Sequence, residues 1–558
     1  MSFIREFNFK SKESILIFII LSSFFIVQFN YINTAGTTYD ADGLRFGSNI
    51  IIEKIKRISS FNFDFSNLPF SDVEYYGMLV ILPAYIFSQF FKRFVSNPND
   101  LGFESIDGVI YYLMNFYLIV YVVVCLYFIS KKIRDIDLRT SLIFIIILIM
   151  TPSFSGHSLF NMKDIPYALQ FFLFSVYFSE YIQNHLNNNS KNMNFKLGIL
   201  MGLLLAVRLN GIFFAFLIIL IGAIMLIINK NFNFNKFFTD MTVVTLIGFG
   251  LLYLLTPSSW VSPIDWIQNA IYQQFFLEWS GSTLTNGEFI IATEMKWYYL
   301  FIWFFVKLPI FFHLSVLLYL YVKLKKIKLN ILSDISVIFI VSVFLIFAIF
   351  KPSVYDGIRQ FLFLIPFFVL FATDTFIKYF KHKNINLYVF LIPTILYFSF
   401  TQFGLGAYKY VYFNEFVDIE KVSIECNNVD GCGNWPTDYW GFSGREVATY
   451  LNNNLMEGDI PNKAEFAWRD NSTSLLVCRR NITVEIDLVK NTSSDELIFG
   501  DFSRSEIITT TFHRPRYEDD SCKLLINEID YSCSTIYSFS KNIRFSTIKL
   551  AHIKECKI

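Results

Sequence analysis

Charged residues are scarce in this sequence, and the shortage excludes most soluble folds. Asp, Glu, Lys and Arg make up only 17% of the 558 residues, whereas 54% are hydrophobic and 67 are Phe. A soluble protein of this composition would leave a large apolar surface in contact with water. Several apolar runs approach or exceed the ~20 residues that cross a hydrocarbon core of ~30 Å. The sequence therefore predicts a multi-pass α-helical membrane protein.

An excess of basic residues is also missing, because the formal net charge is only +1. This balance argues against a nucleic-acid partner, which would require a basic surface. The first apolar run, about residues 14–34, follows Arg5, Lys10 and Lys12, and no small-residue cleavage site comes after it. We therefore expect a retained first span rather than a cleaved signal peptide.

Cysteine is almost absent before residue 412, where only Cys125 occurs, and polar residues dominate after that point. The other six cysteines are Cys426, Cys432, Cys478, Cys522, Cys533 and Cys556. An even number of cysteines in a separate domain is typical of disulfides in an oxidising compartment. We predict an extracytoplasmic α+β domain over residues 411–558 with at least one disulfide. Proximity in the sequence favours the pair Cys426–Cys432.

Basic residues concentrate in five short connections, and short loops rich in Lys and Arg usually face the cytoplasm. These connections are 131–139, 191–196, 229–236, 323–329 and 378–383. With them and the N-terminus in the cytoplasm, one arrangement of about eleven transmembrane helices is consistent. Its spans lie near residues 14–34, 108–130, 139–153, 165–183, 195–207, 210–228, 237–256, 297–322, 333–351, 358–376 and 386–404. The membrane domain then covers residues 1–410, with outer loops 35–107 and 257–296.

Two apolar segments do not fit a simple series of spans. Residues 75–91 must not cross the bilayer, because a crossing would move every later basic loop outside. We expect an interfacial or re-entrant helix there. Residues 195–228 would be ~51 Å long as one helix, which is too long for a single pass. The "RLNG" of residues 208–211 is predicted to break this helix.

Acidic residues follow the first span directly, in the "DAD" of Asp40 to Asp42. Two aspartates at this spacing can share a divalent cation, or one of them can act as a general base. The alternative is structural, because Asp42 can cap the amphipathic helix "GLRFGSNIIIEKIKRI" that follows. Spacing alone favours the cap.

Lys163 and Asp164 stand between two strongly apolar stretches, in "FNMKDIPYALQ". A charge near a bilayer is costly, so such residues are candidates for a functional site. A helix start explains Asp164, which complements the helix dipole, and Pro166, which suits a first helical turn. It does not explain Lys163, nor His157 and Asn161, which crowd the same turn.

Further candidates occur at the predicted outer ends of later spans. Arg208 and Arg359 can snorkel there, but Arg is also the better bidentate ligand for phosphate. The aromatic stretch that contains Trp297 and Tyr298 is typical of an interfacial belt, and stacking on a sugar ring is the alternative. Carboxylates and several cations on one face suit an anionic leaving group that is displaced by an activated hydroxyl.

Five motifs in this order resemble GT-C class membrane glycosyltransferases. They are the Asp-containing first outer loop, "GHSLFNMKDIPYA" (156–168), "LLLAVRLNG" (203–211), "WYYLFIWFFVKLP" (297–309) and "VYDGIRQFLFLIP" (354–366). The most similar branch is the glycosyltransferase family 39-like one, which includes protein O-mannosyltransferases and lipid A aminoarabinose transferases. "YFNEF" (412–416) and "DYWGFSGREVATYL" (438–451) look like the stretch after the last span in bacterial members.

The resemblance implies an enzyme that transfers a sugar, with inversion, from a polyprenyl-phosphate donor to a hydroxyl of a protein, lipid or polysaccharide at the extracytoplasmic face. It makes Asp40 or Asp42 the first-loop catalytic aspartate and Asp164 the second-loop one. In this sequence Ala41 replaces the acidic residue that usually follows the first aspartate. Substrate contacts are expected from His157, Asn161, Lys163, Arg208, Trp297, Tyr298, Tyr355, Asp356 and Arg359. The only cofactor considered is a divalent cation, to which no ligands are assigned.

A polytopic lipid or glycan transporter (a flippase) is the main alternative, and a non-catalytic glycan-binding scaffold is a third hypothesis. Transporters place charged residues and broken helices near the bilayer midplane. This chain instead has its charges at the ends of predicted spans and adds a large outer domain. That distribution favours the enzyme.

The predicted outer domain contains one clear local signal. Ser443 and Glu446 form an S-x-x-E capping box before "VATYLNNN". The pattern predicts a helix start there, following an extended "DYWG" at residues 438–441.

Overall fold

Helices dominate the computed structural model. It describes residues 12–98 apart from positions 33, 35, 37, 39, 66, 70 and 77, residues 106–135, 137–187, 192–230, 232–276, 282–422, 434–443 and 446, and the C-terminal strands given below. The α-helices are Lys12–Ile32 (α1), Ala41–Ser59 (α2), Met78–Phe91 (α3), Ile106–Arg134 (α4), Leu138–Met150 (α5), Pro152–His157 (α6), Asp164–Leu186 (α7), Asn194–Val207 (α8), Gly211–Ile228 (α9), Phe234–Leu255 (α10), Pro263–Ile271 (α11), Tyr299–Lys307 (α12), Ile310–Leu324 (α13), Ile331–Phe350 (α14), Ile365–His382 (α15) and Tyr388–Leu405 (α16).

Length and apolar composition make many of these helices able to cross a membrane. Within the described ranges, seven helical segments meet both conditions: 14–32, 108–134, 211–228, 234–255, 331–350, 359–382 and 388–411. The bent pair α12–α13 adds an eighth if it forms one span. The chain is therefore a polytopic helical membrane protein. Each of the eleven predicted spans overlaps a helix, but α5 and α8 have only 13 and 14 residues, so the number of crossings stays a prediction.

Residues 75–91, which were predicted not to cross the bilayer, contain α3. Its 14 residues correspond to ~21 Å, which is shorter than the ~30 Å hydrocarbon core. The helix packs against α4 and α8, and Val80, Ile81 and Ala84 are fully buried. The helix is confirmed, whereas its interfacial position stays a prediction.

Two breaks interrupt the helices. Between α8 and α9, Arg208 is extended (φ −151°, ψ 125°) and forms a β-bridge with Tyr76, which confirms the break predicted at residues 208–211. Between α12 and α13 the helix axis bends by 109°, so the span predicted over residues 297–322 is interrupted, and its crossing of the bilayer stays a prediction. Pro309 lies at this bend, where it has no N–H for a helical hydrogen bond.

The motif "YFNEF" stabilises the bend between α12 and α13. Asn414 Nδ2 donates to the carbonyl oxygens of Phe305 and Leu308, the latter at 2.8 Å. Glu415 Oε2 accepts the amide of Ile310 at the start of α13 (3.3 Å). Because helix ends leave backbone groups without helical partners, these two side chains satisfy the groups that the bend exposes.

The two ends of α7 define the two ends of the helical part. At the C-terminal end of α7, Asp240 of α10 accepts hydrogen bonds from Tyr181 of α7 (2.9 Å) and Asn194 of α8 (2.6 Å). We call this the Asp240 end, and we call the opposite end, where α7 begins, the Asp164 end. The 23 residues of α7 separate them by ~34 Å.

The described strands form two antiparallel sheets. Ser282–Thr285 (β1) pairs with Glu288–Ile291 (β2). The C-terminal sheet has the order β3-β4-β5-β7-β6, and its strands are Leu475–Cys478 (β3), Ile482–Ile486 (β4), Ile507–Phe512 (β5), Ser532–Ile543 (β6) and Ser546–Lys557 (β7). The β6–β7 hairpin contacts the helical part, since Arg544 donates to the carbonyl of Val417 (3.2 Å).

The structure tests the predicted outer domain only in part. Strands are present, but the helix predicted after the Ser443–Glu446 capping box lies mostly outside the described residues, as does the pair Cys426–Cys432. The register of the C-terminal sheet places Cys533 directly opposite Cys556. The boundary at residue 411 stays a prediction.

Candidate active site

Six charged side chains converge at the Asp164 end, and we call them the charged cluster. They are Asp40, Lys163, Asp164, Arg208, Asp356 and Arg359. Nη2 of Arg359 lies 2.8 Å from Asp40 Oδ2, and its Nε lies 3.4 Å from Asp164 Oδ2. Its Nη1 lies 3.1 Å from Asp356 Oδ2. One guanidinium therefore contacts three carboxylates.

Asp164 is the most buried carboxylate of the charged cluster. Its side chain is 2% exposed, and its Oδ1 lies 2.7 Å from Nη2 of Arg208. Asn161 donates a hydrogen bond to its Oδ2 (2.8 Å). Charge-assisted contacts of this kind are stronger than those between neutral groups, so Asp164 holds both Arg208 and Arg359 in place.

Asn161 stabilises the start of α7 and sets the tautomer of His157. Its Oδ1 accepts the backbone N–H groups of Lys163 (3.2 Å) and Asp164 (2.9 Å), so its Nδ2 faces His157 Nδ1 (3.3 Å). An amide NH₂ can only donate, so Nδ1 accepts and Nε2 carries the proton, which faces the hydroxyl of Tyr439 (3.0 Å). Burial lowers the pKa of His157 to about 3, and the ring is therefore neutral at physiological pH.

Asp40 immediately precedes α2, which begins at Ala41. It has helical backbone angles (φ −78°, ψ −11°) and makes no side-chain hydrogen bond to cap the helix; its carboxylate instead contacts Arg359. Asp42 lies within the first turn of α2, so the prediction that Asp42 caps this helix is wrong. The side chain of Asp42 lies outside the described part of the chain.

The turn before Arg359 is built from two residues with left-handed backbone angles, Asp356 (φ 57°) and Gly357 (φ 68°). The amide of Gly357 donates to the hydroxyl of Tyr299 (3.0 Å). A Cβ at this glycine would lie 2.7 Å from the ring of Trp303, so only glycine fits between the turn and α12. A non-glycine residue at positive φ is strained, and such strain often occurs at functional sites.

Lys163 lies at the more accessible edge of the charged cluster. Its Nζ is 3.6 Å from Asp40 Oδ2 and 5.4 Å from the ring centre of Tyr76, within the range of a cation–π contact. Tyr76 is the residue that bridges to Arg208, and burial raises the pKa of its hydroxyl to about 12. Tyr76 is therefore a neighbour of both basic residues, of Lys163 through its ring and of Arg208 through the backbone.

The structure does not bring all the predicted site residues together. The ring of Tyr355 is 5.8 Å from the guanidinium carbon of Arg359, at the border of the charged cluster. Trp297 is 57% exposed, and Tyr298 donates to Glu288 of β2 (3.0 Å). No contact in the described part of the chain joins these two residues to the charged cluster.

Two residues of the site were missed by sequence reasoning. Trp440 stacks on Arg359, with its ring centre 3.9 Å from the guanidinium carbon, and Tyr439 contacts His157. Both lie in the motif "DYWG", which was predicted to be extended. That prediction is wrong, because the amide of Gly441 (φ 76°) donates to the carbonyl of Asp438 (3.1 Å) and closes a tight turn. The glycine after two aromatic residues is the signal that indicated a turn.

The charged cluster fits a guanidinium better than a divalent cation. Arg359 occupies the position between the three carboxylates. Among the described residues, no group of three or more His, Cys, Asp or Glu side chains is arranged to hold a metal ion. A divalent cation stays a prediction from the sequence, and no step below is assigned to it.

The chain matches no model of a known protein family and no curated protein. The function proposed below therefore depends on the charged cluster and on the sequence motifs.

Proposed function

We propose that this protein is a membrane glycosyltransferase that transfers a sugar, with inversion, from a polyprenyl-phosphate donor to an acceptor hydroxyl. The observation that carries the proposal is that Arg359 contacts Asp40 and Asp164 at the same time. The reaction needs a base for the hydroxyl and cations for an anionic leaving group. The charged cluster contains both kinds of group in direct contact.

Asp40 is the general base in this proposal. Its side chain is 31% exposed, whereas Asp164 is buried and bound by two arginines. A base must reach the proton that it removes, so accessibility favours Asp40. Asp164 is then the residue that positions Arg208 and Arg359, and Asp42 is the alternative base.

The proposed chemistry is a single displacement. Asp40 takes the proton of the acceptor hydroxyl while the hydroxyl oxygen forms a bond to the anomeric carbon of the sugar. The bond from that carbon to the phosphate oxygen breaks on the opposite face, and its electron pair leaves with the polyprenyl phosphate. Attack opposite the leaving group inverts the configuration. Lys163 and Arg359 neutralise the departing phosphate.

The two cations that would bind the phosphate also contact the base. Lys163 Nζ and Arg359 Nη2 lie 3.6 and 2.8 Å from the same oxygen of Asp40. A donor phosphate therefore competes with Asp40 for both cations. As the phosphate binds, these contacts weaken and the carboxylate becomes able to accept a proton.

The Asp164 end would face the extracytoplasmic side, with eleven crossings, a cytoplasmic N-terminus and an outer C-terminal domain. In support, the five basic connections join α4 to α5, α7 to α8, α9 to α10, α13 to α14 and α15 to α16, and short basic loops favour the cytoplasm. Single cysteines in residues 229–236 and 323–329 should react only after permeabilisation, and those in 257–296 and 420–558 from outside. Labelling of 323–329 from outside would overturn this topology.

The two helix breaks, at residues 208–211 and at Pro309, favour the alternative of a lipid or glycan transporter, since transporters use discontinuous helices at their substrate sites. A transporter moves a glycolipid across the bilayer without forming a new glycosidic bond. Covalent transfer of a sugar to an acceptor therefore separates the two functions.

The proposal is tested by mass spectrometry of cell-envelope glycans. The protein, lipid and polysaccharide fractions are compared between cells without the protein and cells with the wild type, Asp40→Asn or Asp240→Asn. We expect one fraction to carry a sugar only with the wild type and with Asp240→Asn, which serves as the matched control. Identical glycans in all four samples would refute the proposal.

A further inference from the structure

The turn of residues 438–443 is stabilised by one buried carboxylate. Asp438 accepts the backbone amides of Phe442 (3.1 Å) and Ser443 (2.7 Å), together with the hydroxyls of Ser443 and Tyr410. Burial of the carboxylate raises the pKa of Asp438, although these four donors favour its charged form. The turn is therefore well defined and tied to the segment that follows α16.

This turn places two aromatic side chains against the site. Trp440 covers the guanidinium of Arg359 at 3.9 Å, and the hydroxyl of Tyr439 lies 3.0 Å from His157 Nε2. Both side chains are buried. Trp440 reaches the charged cluster through Arg359. Tyr439 reaches it through His157 and Asn161 and also lies within electrostatic range of Asp356.

The position of Arg359 needs such a support. Nη2 and Nη1 donate hydrogen bonds to Asp40 (2.8 Å) and Asp356 (3.1 Å), and a phosphate that takes the place of Asp40 removes the first of them. A stacked indole adds a cation–π contact and fixes the plane. A phosphate that replaces Asp40 on Nη2 then meets a guanidinium that is already oriented.

We propose that Trp440 and Tyr439 are positioning residues: Trp440 holds Arg359 for the donor phosphate, and Tyr439 holds the His157–Asn161 pair that orients Asp164. The role given to the donor phosphate rests on the proposed function. The positioning of Arg359 and of the His157–Asn161 pair does not. The geometry can therefore be tested without any transfer reaction.

The first test measures how accessible Arg359 is to phenylglyoxal, which modifies exposed arginines, in purified full-length protein. Mass spectrometry follows Arg359 and, as an internal control at the other end of the molecule, the exposed Arg139. We expect modification of Arg359 to rise roughly 3- to 30-fold in Trp440→Leu, the range that loss of a cation–π contact implies. Trp440→Phe, which keeps a ring, should stay near the wild type, and Arg139 should not change.

The second test separates donor binding from turnover. The donor is the polyprenyl phosphate of the sugar that the glycan analysis identifies. Trp440→Leu should raise the KM for this donor roughly 3- to 30-fold, with a smaller change in kcat. Tyr439→Phe removes one hydroxyl and keeps the ring, so it should lower kcat severalfold and leave the modification of Arg359 unchanged. If Trp440→Leu does not fold, the proposal is tested with Tyr439→Phe. A wild-type kcat in Tyr439→Phe would then overturn it.

The outcomes also separate this inference from the proposed function. Unchanged modification of Arg359 in a folded Trp440→Leu protein refutes the positioning role, even if the protein transfers sugar normally. Increased modification of Arg359 in Trp440→Leu, together with no detectable transfer by the wild type, supports the positioning role and refutes the proposed function.

Discussion

One carboxylate lies at each end of α7, the half-buried Asp240 of α10 and the buried Asp164, and their partners differ in kind. Asp240 is bound by neutral donors, the hydroxyl of Tyr181 and the amide of Asn194. Asp164 is contacted by two guanidiniums, and one of these also contacts two further carboxylates. The same helix therefore connects a simple hydrogen-bonded site to a dense network of charges.

The difference supports the proposal that the Asp164 end is the functional one. At the Asp240 end, two neutral donors bind a half-buried carboxylate and join three helices, which is a structural task. Three acids and three bases in mutual contact exceed that need, and removing so many charges from water is costly. Costly charge near a bilayer is expected at functional sites. The predictions below test this contrast.

The largest expected effect is on catalysis by Asp40. Asp40→Asn keeps the size of the side chain and removes the base, and general-base assistance is typically worth about 10²–10⁴-fold in rate. We expect kcat to fall by that factor, measured by steady-state transfer in a purified assay. The donor KM should not rise, because the phosphate no longer competes with a carboxylate for Lys163 and Arg359. If Asp40→Asn, Asp42→Asn and Asp164→Asn all retain near-normal transfer, the catalytic assignment is wrong.

A smaller effect is expected for Lys163→Ala, which removes a cation from the proposed phosphate site. Loss of a charge-assisted contact should raise the donor KM by roughly 10- to 100-fold, while kcat changes less. Lys132→Ala at the other end of the protein, where Lys132 pairs with Glu180 (2.6 Å), is the matched control and should leave KM unchanged. Equal increases of the donor KM in Lys163→Ala and Lys132→Ala would contradict the proposal that the phosphate binds at the Asp164 end.

Asp240→Ala should affect stability rather than transfer. Tyr181 and Asn194 lose their shared acceptor, and a buried donor without a partner costs about 1–3 kcal/mol. We expect a lower melting temperature in detergent and an unchanged kcat in the protein that remains folded. A loss of kcat at full stability would place chemistry at the Asp240 end as well.

The smallest effect expected on activity concerns the predicted outer compartment. Cys533 and Cys556 are opposite each other in an antiparallel pair, at a backbone separation that a disulfide can bridge. We expect non-reducing peptide mapping of native protein to find this bond, and a Cys533→Ser/Cys556→Ser variant to retain transfer. Six free thiols after Tyr412 would argue against an oxidising compartment and thus against the proposed orientation of the Asp164 end.

Part of the site could be predicted because its signals are local. Asp40 follows the first apolar run, and Asp164 begins a later one. Both were therefore predicted to lie at the same face of the membrane, where the chain leaves the bilayer. The break at residues 208–211 was predicted from helix length. The cap assigned to Asp42 failed because α2 begins at Ala41, two residues earlier than the pattern indicated, and the ends of a helix are less strongly encoded than its apolar interior.

The sequence alone determined that the protein is built from apolar helices, the approximate position of most of them, and that Lys163 and Asp164 stand at the start of α7. These properties depend on run length and residue type within one segment. Only the tertiary structure decided that Arg359 lies between Asp40, Asp164 and Asp356 and that Trp440 covers it. Those contacts join α2, α7, the turn before α15 and the turn at Gly441, whose positive φ aims Trp440 back at the helices. They are set by the packing of distant segments, which no single stretch of sequence contains.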